Sequence, residues 1–402
     1  MDRPPIAGGA LLIDSDGRIA AMGSSGEVGH PVDVSSESQP DVILLPGLIN
    51  THTHLELTGL GALVPEPDFA DWIRRLIALK SARSGEQVLE AARQGIRAGW
   101  SAGVTTLGDT GDSGAGFQAM LELNASGIAY QEVFGPHPDL AEAQFAEFRR
   151  RFDRLRPLAA GRVRLGVSPH APYSVSGPLY QLVARWASVE NLPVAVHVAE
   201  SLEESQLIES GAGPFARQWA ARGIPLPRTG GSTPIEWLDR HGVLGRRTLC
   251  IHAVRATDSD ITRIARAGAS VAHCPRSNRR HARLAAPLGR LLAAGIRVGV
   301  GTDSVASVSP QDLLAEARQA RQLADLSAET ALRLVTSGAA AALGLEAEIG
   351  SLAPGHWGDA VAIRIPPAAT AEQALELALA SRPDDVVLTI LGGREVYRRV
   401  AA

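Results

Sequence analysis

"LINTHTHLEL", residues 48–57, sets His52 and His54 two apart at the end of an apolar run, with Glu56 two further on. A strand turns alternate side chains to one face, so the three would point the same way. Such a pair could be metal ligands on the rim of a sheet or barrel, or an accident of a surface turn. The rest of the chain has to decide between them.

Apolar runs with β-branched character recur on either side of this stretch. The candidate strands are "VILLPGLINTH" (42–52), "GVTTLGD" (103–109), "GIAYQEVFG" (127–135), "RVRLGVSPH" (162–170), "PVAVHVAE" (193–200), "TLCIHAV" (248–254), "SVAHCP" (270–275) and "RVGVGTD" (297–303). Between them lie segments of helical spacing such as "GEQVLEAARQGIRAGW" and "PLYQLVARWASVE". Eight strands alternating with helices predict an α/β fold, a (β/α)8 TIM barrel. An open doubly wound sheet would carry a glycine-rich nucleotide fingerprint after its first strand, and none follows here. "GDTGDSGAG" (108–116) has no Gly-Lys-Ser/Thr after it, so it reads as a rim loop.

The flanks have another rhythm. "ALLIDSDGRIAAMG" (10–23) alternates about an Asp-Gly turn, the pattern of a hairpin. "IGSLAPGHWGDAVAIRI" and "DVVLTILGGREVYRRV" are short strands punctuated by Gly and Pro. We expect a small β-sandwich domain built from both chain ends, residues 1–45 and 346–402, around a barrel of residues 46–345.

Composition narrows the function classes. The 402 residues are 45% hydrophobic and 20% charged, normal for a globular chain with a sizeable core. A net charge of -4 argues against a general nucleic-acid binder. The basic run "RRRFDRLRPLAAGRVR" (149–164) has little aromatic interleaving and reads as a solvated helix face. No secretory signal and no 18-residue apolar span is visible, so a cytoplasmic protein that does not enter a membrane is expected. Cys250 and Cys274 are too few and too far apart for a disulfide framework or a Cys-x-x-Cys zinc site, and are expected to be reduced and buried. Lys80 is the single lysine.

Six of the eleven histidines, His52, His54, His170, His197, His252 and His273, fall at or just past the C-terminal ends of candidate strands, and Asp303 ends the eighth. In a parallel barrel that rim is where catalytic residues gather. Any one ring could be a satisfied core histidine, but an apolar barrel interior has no reason to collect six at one end. Metal binding supplies the reason: imidazole nitrogen and carboxylate oxygen suit Zn²⁺ or Fe²⁺. The His-Glu-x-x-His zincin pattern and the His-x-Glu with Pro-Cys-x-x-Cys pattern are both absent.

"PGLINTHTHLE", "SPHAPYSVS", "HVAES", "HAV", "AHCPRSN" and "GTDS", in this order, resemble the amidohydrolase superfamily, and within it the aminohydrolase branch of cytosine, guanine, adenosine-type and S-adenosylhomocysteine deaminases and triazine hydrolases. The likeness extends to "ALGLEAEIGSLAPGHWGDAV", similar to that family's return into its β-domain. "THTHLELTGL" with "FADWIRRLI" is similar to aminodeoxyfutalosine deaminase-like proteins, which act on an adenine nucleoside. One departure is that only about seven residues precede "GGALLIDSDGRIAAMG", where the family has another strand.

The resemblance implies one divalent metal, Zn²⁺ before Fe²⁺, held by His52, His54, His197 and Asp303. Branches with two metals bridge them through a carboxylated lysine on the fourth strand, and the lone Lys80 lies after the first. Glu200, in a His-x-x-Glu spacing, would be the acid/base, passing a proton from the attacking water to the ring nitrogen beside the attacked carbon. His252 would orient that water, and Asp303 would pass its remaining proton to departing ammonia. His170 and His273 would contact substrate or support the ligands. Trp72, in a Phe-x-x-Trp helix, would stack on a flat heterocycle. Glu56 is given no chemistry. The implied activity is hydrolytic deamination of an amino-substituted heterocycle by a homodimer. The alternatives are hydrolysis of a cyclic amide or ring carbon–chlorine bond, and a non-catalytic scaffold, which would have lost a ligand.

Overall fold

The computed structural model describes residues 4–61, 69–281 and 284–400. Eight parallel strands run in sequence order around one sheet: β4 (Leu48–Thr53), β5 (Val104–Gly111), β6 (Ser126–Val133), β7 (Val163–Pro169), β8 (Val194–Val198), β9 (Thr248–His252), β10 (Ser270–His273) and β11 (Val298–Val300). The first and last meet through the parallel bridge Thr53–Asp303 and the bond from Asp303 N–H to His52 O at 3.0 Å, so the sheet closes. Closure needs close backbone approach: a Cβ at Gly301 would stand 2.7 Å from His52 N and O.

Side chains alternate between an outer and an inner layer. Val194, Val196 and Val198 join the large outer core against the helices. Ile49, Ile128, Tyr130, Ala195, Leu249, Ile251 and Ala272 form an inner cluster, closed at one end by Ala339, Ala340 and Leu343 of the helix Ser337–Leu343. The polar ends of the strands therefore stand above a packed apolar floor.

The remaining strands come from the chain ends. A hairpin pairs β1 (Gly9–Ile13) with β2 (Ile19–Ser24), and an antiparallel sheet has the order β14 (Arg394–Arg398), β13 (Val386–Leu391), β12 (Ala360–Arg364), β3 (Val42–Pro46). The stretch 42–52 is thus two strands in two sheets, a correction to the single strand read from the sequence. Gly47 makes the step, since a Cβ there would lie 2.3 Å from Thr105 Oγ1. Arg162, just before β7, holds the Asp359 carboxylate with two bonds of 2.7 and 2.5 Å, and its guanidinium lies 4.7 Å from the Trp357 ring centroid. Both cysteines are free and buried. Among the described residues no helix is long and apolar enough to cross a membrane.

Candidate metal centre and active site

On β4 strict alternation would not bring His52 to the inner face that Ile49 occupies. The register against β5 shifts between Asn50 and Thr53, where three steps along β4 match two along β5. This bulge re-aims the strand end. The Nε2 atoms of His54 and His197 are 3.3 Å apart, and Asp303 Oδ1 lies 3.5 Å from His52 Nε2 and 3.6 Å from His54 Nε2. Donors at about 2.0–2.1 Å from a tetrahedral ion stand roughly 3.3–3.4 Å from each other. His52 Nε2 is buried with no hydrogen-bond partner among the described residues. The residues present therefore fit a divalent ion.

The tautomers suit that reading. His54 Nδ1 lies 3.0 Å from the carbonyl of Thr110, and His197 Nδ1 lies 3.2 Å from that of His170. An Nδ1–H donated to a carbonyl leaves the Nε2 lone pair facing the centre. Burial holds the imidazoles neutral: it drives His52 down to about 3 and His197 well below the usual histidine value. For Asp303 burial pulls upward, but the imidazole of His52 close by and the surrounding rings outweigh it and keep the carboxyl well below its ordinary range.

Glu200 stands beside this cluster, its Oε1 3.4 Å from His252 Nε2. Burial, with Asp303 and Glu204 adding to it, pushes the Glu200 carboxyl well above the usual range. Asn278 links two more rings, its Oδ1 2.9 Å from His252 Nδ1 and its Nδ2 3.1 Å from His273 Nδ1. With the amide so oriented, His252 presents a bare Nε2 to Glu200, and His273 carries its proton on Nε2, which is buried and unpartnered among the described residues. Ser277 donates to Asp303 Oδ2 at 2.6 Å. Strand ends here use left-handed backbone at Ala199, His252, Ala253 and Asp303, with φ of 50° to 74°. Such non-glycine conformations cluster where surrounding structure fixes a side chain's direction.

His170, at the end of β7, packs on His197 with ring centroids 4.8 Å apart, and its Nδ1 lies 2.7 Å from Ser174 Oγ. Trp72 makes no ring contact with His52, His54, His197 or His252 among the described residues. It lies in the helix Phe69–Ser81 within an aromatic cluster, stacked on Phe69 at 5.9 Å and 4.3 Å from the ring of His281. That cluster runs on through Tyr173, 6.3 Å from Phe69, to His170, 5.6 Å from Tyr173. Asp68, which opens the Phe-x-x-Trp stretch, lies outside the described residues. Glu56 points into a charged knot: its Oε1 accepts from Ser113 Oγ at 2.6 Å, and its Oε2 lies 2.6 Å from Lys80 Nζ, which also pairs with Asp112.

Sequence reasoning brought together the four donors, Glu200 and His252, and did not single out Thr110, Ser277, Asn278 or Glu204. Ser277 and Asn278 stand within "AHCPRSN", where the motif itself was the signal.

A closed parallel barrel with an imidazole and carboxylate cluster at the C-terminal ends of its strands defines a class of metal-dependent hydrolases. The chain belongs to the Amidohydrolase family, whose model matches residues 43–396. It is 33% identical over 328 residues to the aminodeoxyfutalosine deaminase of Deinococcus radiodurans, covering 79% of this chain and 76% of that protein. To the 5-methylthioadenosine/S-adenosylhomocysteine deaminase of Symbiobacterium thermophilum it is 30% identical over 405 residues, covering 97% and 88%. A crystal structure of an adenosine deaminase from Xanthomonas campestris with bound zinc superposes with a TM-score of 0.80 at 25% identity, covering 96% of this chain and 88% of that one.

Proposed function

We propose that the protein is a hydrolytic deaminase of an amino-substituted heterocycle, an adenine nucleoside in the favoured case, working with one divalent ion, Zn²⁺ before Fe²⁺. The observation that carries this is the meeting of His52, His54 and His197 with Asp303 Oδ1, with His54–His197, His52–Asp303 and His54–Asp303 at 3.3, 3.5 and 3.6 Å, beside the Glu200–His252 pair. The names of the two relatives above, an aminodeoxyfutalosine deaminase and a 5-methylthioadenosine/S-adenosylhomocysteine deaminase, support the substrate class, and the zinc in the Xanthomonas structure supports the metal.

The ion, held by His52, His54, His197 and Asp303, supplies the Lewis acidity that brings a water's pKa down to about 7. The chain's own groups do the rest. Glu200, with its carboxyl raised by burial, can take a proton from the attacking water. It delivers that proton to the ring nitrogen next to the attacked carbon, which makes the carbon more electrophilic. His252 Nε2 orients the water. Asp303 Oδ2, steadied by Ser277, takes the second proton and passes it to the departing amine. One water and one amino-heterocycle thus give the oxo compound and ammonia. His170 and His273 contact the substrate or support the ligands, and Trp72, in the aromatic cluster that reaches His170 through Tyr173, stacks on the heterocycle.

The same proposal divides the chain at 1–45, 46–345 and 346–402 and takes it to be a cytoplasmic homodimer, a state that light scattering checks. The deciding experiment is metal analysis followed by ammonia release over adenine, guanine, cytosine and nucleoside panels. Stoichiometric metal with no ammonia from any amino-heterocycle would sink the deaminase reading.

A further inference from the structure

The turn after β8 holds a carboxylate that takes no part in these proton transfers. Glu204 is buried in the first turn of the helix Leu202–Ser210. Its own N–H donates to Oγ of the N-cap residue Ser201 at 3.2 Å. In an ordinary capping box the acid at this position reaches back to the N–H of the N-cap residue. Glu204 reaches past it. Its Oε1 accepts from Ala199 N–H at 2.8 Å and its Oε2 from Glu200 N–H at 2.9 Å.

Two features make this more than a cap. Ala199 has φ of +52°, a left-handed conformation that a residue with a Cβ seldom adopts without being held. It is held from both sides, since its carbonyl also accepts from Arg255 N–H at 2.9 Å. And two adjacent N–H donors call for two acceptor oxygens on one group, which among side chains only a carboxylate offers. A glutamine would turn its NH₂ against one of them. Burying a carboxylate is expensive, and burial pushes this one up to about 7 against the pull of its three backbone contacts.

We propose that Glu204 is a positioning residue for Glu200: it locks the left-handed turn from which the Glu200 side chain leaves, so that Glu200 Oε1 is held 3.4 Å from His252 Nε2. Glu204 touches neither substrate nor metal. The proposal rests on the reading of Glu200 as the acid/base.

The test compares Glu204→Gln, Glu200→Gln and the double variant of the full-length, metal-loaded enzyme, measuring kcat and KM with an adenine nucleoside that the wild type deaminates, together with metal content. Misplacement by about 1 Å can cost on the order of 100-fold in rate. Glu204→Gln is expected to lower kcat about 30- to 100-fold with KM within about threefold and metal content unchanged. In the Glu200→Gln background the same change is expected to alter the residual rate less than about twofold. Glu204→Asp, which keeps the charge but is too short to span both N–H groups, is expected to lower kcat as well, and serves if the glutamine variant fails to fold. Wild-type kcat in either Glu204 variant, an equal loss in both backgrounds, or a loss that follows loss of metal would overturn the proposal. A crystal structure of a Glu204 variant gives a readout that needs no turnover. Glu200 is expected to leave His252 while His52, His54 and His197 stay; a Glu200 that has not moved overturns the proposal whatever the substrate. An inactive wild type that binds metal removes the deaminase reading alone.

Discussion

Two polar clusters stand side by side where β4 ends, two residues apart along the chain, the first around buried Glu56 with its partners partly exposed and the second buried. In the knot of Glu56, Lys80, Asp112 and Ser113 each charge meets an opposite charge or a hydroxyl. Burial works against the Lys80 ammonium, but Glu56, Asp112 and Glu132 more than offset it and hold it above the usual lysine value. In the cluster of His52, His54, His197 and Asp303, by contrast, bare Nε2 atoms face one another and one carboxylate oxygen. The outer nitrogens of His54 and His197 lie against carbonyls, while both ring nitrogens of His52 are buried with no hydrogen-bond partner among the described residues. A polar knot that closes on itself is structural, because folding has already met its desolvation cost. One whose lone pairs converge with no proton between them is missing a partner that folding does not supply.

The largest expected effect breaks the open cluster. His197→Ala removes one of four donors and should lower bound metal from about one per chain to below a tenth, with activity down at least ~10⁴-fold; elemental analysis and ammonia release check it. Glu200→Gln should be as inactive yet keep its metal, which separates acid/base from ligand. Asn278→Ala comes next. It unties the tautomers of His252 and His273 without touching the four donors, and a loss of about 10- to 100-fold in kcat/KM at unchanged metal content is expected. Metal loss in that variant would instead place His252 among the ligands, since a ligand atom of His52, of His252 and of Asp303 also lie within 4.8 Å of one another.

The contrast explains what could be read from the chain alone. Parallel strands buried on both faces leave apolar runs, and their ends are marked by the residues that stop being apolar. His52, His54, His197 and Asp303 stand at such ends, and imidazole is scarce enough there to be noticed. Thr110, Ser277, Asn278 and Glu204 act through hydrogen bonds made only in the fold, and their residue types are ordinary in loops. The bulge in β4 and the step at Gly47 were not read from "VILLPGLINTH", because both depend on what the neighbouring strand presents. His281 lies on no strand end and so carries no such mark, although its ring lies against Trp72.

The closed knot should fail differently. Lys80→Met strips the cation and leaves Glu56 and Asp112 facing each other. Breaking a buried pair costs about 3–5 kcal/mol, and with Lys80 24% exposed we expect about 2–3 kcal/mol and a drop of several degrees in Tm. Metal content and kcat should hold. A variant that melts like the wild type but loses metal would mean that the knot belongs to the centre after all.

Between the two clusters in kind stands Glu316, on the helix Leu313–Ala324, and it sharpens the contrast with the smallest effect. Its Oε2 accepts from Arg276 N–H at 2.9 Å, while Oε1 has no hydrogen bond among the described residues and lies 3.8 Å from the Arg276 guanidinium. Burial raises its carboxyl from 4.5 to about 8. The sign follows from proton counting: between about pH 4.5 and 8 the folded chain binds this proton more than the unfolded one does, so stability falls as pH rises through that window. A tenfold change in proton affinity corresponds to about 1.4 kcal/mol, before relaxation around the ionised group reduces it. Glu316→Gln keeps the acceptor for Arg276 N–H and has nothing to ionise. It should match the wild type at pH 5 and gain about 1 kcal/mol at pH 9, read as Tm at the two pH values. Equal Tm at both would show that Arg276 satisfies Glu316 as fully as Lys80 satisfies Glu56, and would move it into the closed class.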